Sequence, residues 1–165
     1  MNWLQFGVQW LHVILGMLWL GGALYTNFVV IPALGRLPLV TQREVGMHIG
    51  EIASKVFTVV PILIVILGIV RGTVFGPIQG VDDLLGTAYG LTWLTGLTVT
   101  VATYLWGKFM IEGAIAEMNR VELNADGTMS AMGVAALNRV KLVGAMELLG
   151  FAVIFTCMIL MRFGL

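Results

Sequence analysis

Charged residues are scarce in this chain: nine basic and nine acidic side chains make up 11% of 165 residues, and they cancel to a net charge of zero. That balance offers no basic surface, so no nucleic acid is expected as a partner. Cysteine is nearly absent. Cys157 stands alone, which rules out an internal disulfide, and without a CxxC or CxxCH segment a covalently attached c-type haem is ruled out as well. Any cofactor must be held non-covalently. The opening MNWLQFGVQW has no positive leading region and no small-x-small cleavage signal after it, so the first apolar helix is expected to stay in the mature protein.

What is abundant is hydrocarbon. Hydrophobic residues reach 59% and the mean hydropathy is +0.97, values of an integral membrane protein rather than a water-soluble domain. Crossing ~30 Å of bilayer takes ~20 helical residues. Four stretches qualify, at approximately 5–33, 46–71, 87–110 and 138–161. Between them, GRLPLVTQREVG and RGTVFGPIQGVDDLLG read as loops from their proline, glycine and charge content. The third connection keeps helical spacing on both sides of the Ala125-Asp126-Gly127 turn, with Thr128 or Ser130 as the N-cap of the next helix. Helices three and four are therefore expected to project beyond the membrane as a cytoplasmic helical extension.

Short connections make sequence neighbours antiparallel neighbours. The expected fold is all-α, a single domain over 1–165 forming an integral membrane up-down four-helix bundle. Arg36, Arg43, Lys108, Arg120, Arg139 and Lys141 fall on one side of it and only Arg71 and Arg162 on the other. By the positive-inside rule both termini lie outside the cytoplasm, in a bacterial inner membrane. Gly68, Gly72 and Gly76 recur at spacing four, which suits either close helix packing or a homo-oligomer face.

Polar residues inside such spans call for an explanation. His12, Gly16, Trp19, Ala23 and Asn27 step by three and four and so share one face of the first helix. Neutral imidazole is a good ligand for haem iron, and a glycine one turn away with a tryptophan two turns away makes a slot for a macrocycle. The alternative is an imidazole bonded to a carbonyl of the next helix, or one near the outer headgroups beside Trp3 and Trp10. On the second span His48, Glu51 and Lys55 stand at i, i+3 and i+7, either as interfacial residues reaching for water or as a polar pocket. In the pocket reading, Lys55 pairs with Glu51 or with Glu147 of the fourth span, near Asn27, because buried charges come paired. Such a pocket suits a propionate, a metal or a proton.

His12 and His48 cannot share a metal within one subunit. At 1.5 Å per residue from a turn near residue 38 they lie ~39 and ~15 Å away, a separation of ~24 Å. A haem at His12 would have its other axial position open, filled by solvent, or taken by Met158, Met161, Cys157 or Tyr89. His48 is the candidate for a second metal or haem at the cytoplasmic end, with Met110, Met146 or a dimer mate opposite. Copper is a further candidate ion, since thioether and imidazole suit Cu(I).

Taken together, LHVILGMLWLGGALYTNFVVIPAL, the Glu51, Lys55, Phe57 and Pro61 segment and the closing LGIVRG resemble the four-helix superfamily of copper resistance protein D-like membrane domains and HemJ-type protoporphyrinogen oxidases. The resemblance covers residues 10–72. It implies a non-covalent haem b held by a first-helix histidine, which His12 matches, and a redox reaction in the membrane. The chain is thus expected to bind haem and to carry electrons or protons between a lipid-soluble donor, of quinone or porphyrinogen type, and another membrane component. Copper transport and a structural role in a larger complex are the alternatives.

Overall fold

The computed structural model describes residues 2–122, 124 and 128–165. Every regular element among them is helical. In chain order these are α1 (Trp3–Tyr25), a π turn at Thr26–Val30, α2 (Ile31–Leu34), α3 (Leu39–Thr73), α4 (Val81–Gly86), α5 (Ala88–Trp106), a second π turn at Gly107–Ile111, α6 (Glu112–Arg120) and α7 (Ala131–Arg162). Three stretches are long and apolar enough to cross a membrane: Trp3–Leu34, Leu39–Thr73 and Ala131–Arg162. The fourth expected span, α5, has 19 residues but five of them are threonine, which lowers its hydropathy. Thr95 and Thr100 return their hydroxyls to the Leu91 and Gly96 carbonyls one turn back, at 2.8 and 2.7 Å, so these polar groups are satisfied within the helix.

Side chains set the helix starts. Asn2 caps α1 by accepting from the Leu4 and Gln5 amides, Thr87 caps α5 through the Gly90 amide, and Ser130 caps α7 through the Gly133 amide. Of the two expected caps for α7, Ser130 is the one that accepts. The Ala125-Asp126-Gly127 turn itself lies outside the described residues.

Two connections differ from expectation. The first is only the turn around Gly35–Pro38, because α3 already begins at Leu39. Pro38 stands at the N-cap with extended ψ, where its missing amide costs nothing, and VTQREVG continues the helical register. In the second, α3 runs to Thr73 and α4 occupies Val81–Gly86. Gln79 organises the gap by donating to the Thr73 and Gly76 carbonyls while its amide meets Asp83 Oδ2.

Helices α1 with α3, and α5 with α7, form the closest pairs. One buried core joins both pairs: Trp19 and Ala23 of α1, Val60 and Ile64 of α3 and Phe151 of α7, with Tyr104 of α5 packed against it. Trp19 meets Phe151 edge to face, ring centroids 4.7 Å apart, a favourable aromatic geometry. Close approach depends on glycine at two places. Gly72 lies under the Trp93 indole, and Gly150 lies against the Thr103 side chain. A second cluster, Ala114, Val140 and Val143, fastens α6 to α7. Arg43 of α3 donates to the Met118 and Val121 carbonyls at the end of α6, and Glu117 pairs with Arg139, so α6 and the start of α7 are tied both to each other and to α3. Outside these contacts the surface is rich in exposed apolar side chains, among them Trp3, Leu4, Phe28, Ile52 and Leu149.

Candidate functional site

The shared face of α1 is buried as its spacing requires: His12, Trp19 and Ala23 are 7%, 5% and 7% exposed. His12 lies against α3, beside the backbone of Ile64 and so close to Gly68 that a Cβ there would sit 3.3 Å from the ring. In that position the ring is packed between helices rather than on the protein surface. Its Nδ1 is buried without a hydrogen-bond partner among the described residues. Gly16, one turn on, is half-buried with nothing within 4 Å of where a side chain would start.

Trp19 belongs to a different neighbourhood. Together with Ala23 and Asn27 it lines a cavity of about 290 Å³ between α1, α3, α5, α6 and α7. His12 and Gly16 lie outside that lining, so the expected slot of His12, Gly16 and Trp19 is divided between two places. The cavity wall is mainly apolar, with Phe57 and Tyr104 beside Trp19. Its basic side chains are Arg43 and Lys108, and its acidic ones Glu112 and Glu147.

Both π turns border this cavity, contributing Thr26, Asn27 and Val30 from one and Gly107, Lys108 and Ile111 from the other. A π turn inserts one residue, rotating the rest of the helix by about 100° relative to an unbroken α-helix. The inserted residues bring Asn27 and Lys108 inward. Asn27 Nδ2 donates to the Ala23 carbonyl at 2.9 Å, while its Oδ1 occupies the space left by Gly144. Lys108 Nζ meets Glu112 Oε1 at 3.0 Å and Thr58 Oγ1 at 3.4 Å, and Ser54 donates to the same Glu112 oxygen at 2.8 Å. Glu147 is left without a hydrogen bond or ion pair among the described residues. Its Oε1 sits 3.1 Å from where a Cβ of Gly107 would stand.

Of the residues expected to form a polar pocket with Asn27, only Glu147 lines this cavity. Lys55 pairs with Glu51 at 2.9 Å, and both side chains are more than 70% exposed. Of its two candidate partners Lys55 takes the neighbour on its own helix, and neither Glu51 nor Lys55 lines the cavity. His48 is exposed, with Nδ1 against the Glu44 carbonyl at 2.8 Å, facing its own helix. Met158 is half-buried on α7, next to Cys157, whose Cβ packs on Gly96 of α5. Among the described residues no three His, Cys, Asp or Glu side chains converge as a metal site would need. Lys108, Glu112 and Ser54 are the residues that spacing alone did not single out. A signal existed for the first two, which stand four apart and so meet on one helix face; Ser54 had none.

No protein-family profile, curated protein or solved structure matches this chain.

Proposed function

We propose that the chain is an up-down four-helix bundle of the bacterial cytoplasmic membrane, termini outside, that holds a b-type haem at His12 and takes part in membrane electron transfer. One observation carries the haem assignment: an imidazole 7% exposed whose Nδ1 has no partner among the described residues. Leaving a buried polar atom unpaired costs about 1–3 kcal/mol, and a metal-ligating histidine characteristically rests one nitrogen against a backbone carbonyl while the other is free to coordinate. The Ile64 backbone on one side and a bare Nδ1 suit that arrangement. The donor fits haem iron chemically. His12 would hold the iron, and Gly16, with nothing within 4 Å of where its side chain would start, would leave room beside it. When bound, haem would supply a one-electron carrier; the protein's part is to exclude water from it and position the imidazole.

The test is an absorption spectrum with a pyridine haemochrome assay on protein purified from haem-replete cells. A Soret band and reducible α-band are expected, with one haem equivalent lost in His12→Ala and none in His48→Ala, whose ring is exposed. A colourless wild-type preparation ends the proposal. Copper, and a purely structural role, gain no specific observation of their own.

A further inference from the structure

The cavity between the two π turns is a second site, independent of His12, which lies outside it. We infer that it binds a small organic cation whose charge pairs with Glu147 and whose apolar body lies on Trp19, Phe57 and Tyr104. Neither basic side chain that lines the space is bonded to Glu147. Lys108 serves Glu112, 3.0 Å away, and Arg43 serves the Met118 and Val121 carbonyls. Glu112 is doubly satisfied, by Lys108 and by the Ser54 hydroxyl at 2.8 Å.

Glu147 has no such partner among the described residues, although room has been made for its carboxyl group by the missing side chain of Gly107. An acid in an apolar enclosure, with no cation of its own, is complemented by a ligand that brings one. An anionic group beside Glu147 would be repelled, and a neutral donor would offer it a hydrogen bond without the opposite charge. The aromatic side chains lining the same space favour the same choice, because their faces attract cations. A volume of about 290 Å³ sits at the small end of ligand pockets, which limits the occupant to roughly a single ring with a compact ammonium group.

The experiment uses the full chain in phosphatidylcholine nanodiscs and equilibrium dialysis with radiolabelled benzyltrimethylammonium. Saturable binding is expected, weakened at least about tenfold in Glu147→Gln and unchanged in His12→Ala. Neopentylbenzene, the neutral carbon isostere, should compete far more weakly than unlabelled cation. Gly107→Ala gives an independent arm, since its Cβ would stand 3.1 Å from Glu147 Oε1 and shift the carboxyl group by a few tenths of an ångström without removing it, and weaker binding is again expected. Thermal midpoints establish that each variant is folded. Equal affinity in folded Glu147→Gln and Gly107→Ala, equal competition by the isostere, displacement by benzenesulfonate, or no saturable binding to wild type would overturn the assignment. Because no readout involves haem, a colourless protein that still binds the cation would defeat the His12 proposal and leave this one standing.

Discussion

At the scale of single residues, the glycines separate into those that packing needs and those it does not. A Cβ on Gly72 would overlap the Trp93 indole, whose Cε2 would lie 2.6 Å away, whereas one on Gly7 would meet nothing within 4 Å. Gly72→Ala should lower stability by about 1–3 kcal/mol, because overpacking forces ring or backbone to shift. Gly7→Ala, inside α1, should raise it by roughly 0.5–1 kcal/mol by removing backbone freedom. Thermal unfolding in detergent, followed by circular dichroism, compares the two directly. Nothing in the spacing of glycines distinguishes these positions; Gly68, Gly72 and Gly76 look equivalent in sequence, yet a Cβ would meet the His12 ring at Gly68, overlap the Trp93 indole at Gly72 and overlap backbone carbonyls at Gly76. The same holds for polar residues. Glu51 and Lys55 suggest a buried pair by type, yet they face outward together, while Glu147, the other candidate partner of Lys55, lines the cavity without a partner among the described residues.

At the scale of elements, the π turns and the Arg43 contact decide what the helices do. Arg43 reaches from α3 to the carbonyls that end α6, where the Met118 carbonyl has only a long bond from the Val121 amide, 3.4 Å, and the last carbonyls of a helix lack i+4 donors. Arg43→Ala should therefore release the end of α6, costing about 1–3 kcal/mol. Faster amide hydrogen exchange is expected across Glu112–Arg120, with exchange in α1 unaltered; equal protection of α6 in both proteins would refute the role. Pro61 is fully buried within the continuous helix α3 and offers no amide to the carbonyl of Phe57 one turn back, a residue that lines the cavity. Helix existence, approximate ends and the Ser130 cap were legible from hydropathy and residue type. The π turns were not. They involve a single extra residue each, carry no compositional signature, and are stabilised by what the rotated side chains meet: the Ala23 carbonyl for Asn27, and Glu112 and Thr58 for Lys108.

At the scale of the whole molecule, the proposed topology is testable through its lone cysteine. Cys157 is buried, so a Cys157→Ser background with single cysteines at Leu165 or Glu117 supplies clean probes. A membrane-impermeant maleimide should label position 165 in intact spheroplasts and position 117 only after permeabilisation, as the distribution of Arg and Lys requires. The reverse pattern would invert the bundle and put the Glu147 cavity at the outer face.

Sequence by itself determined that this chain is helical and apolar, where its longest helices run, and that His12, Trp19 and Ala23 share a buried face. These properties are sums over local residues, read from hydropathy and from a 3.6-residue period. Tertiary structure alone decided which polar group meets which. Pairing depends on how each helix is rotated and how closely its neighbour approaches, and a single inserted residue at Thr26–Val30 or Gly107–Ile111 alters that rotation by about 100°. For that reason residue types left Lys55 either Glu51 or Glu147 as a partner, and the folded chain pairs it with Glu51, commits Lys108 to Glu112 and leaves the Glu147 carboxyl group lining the cavity.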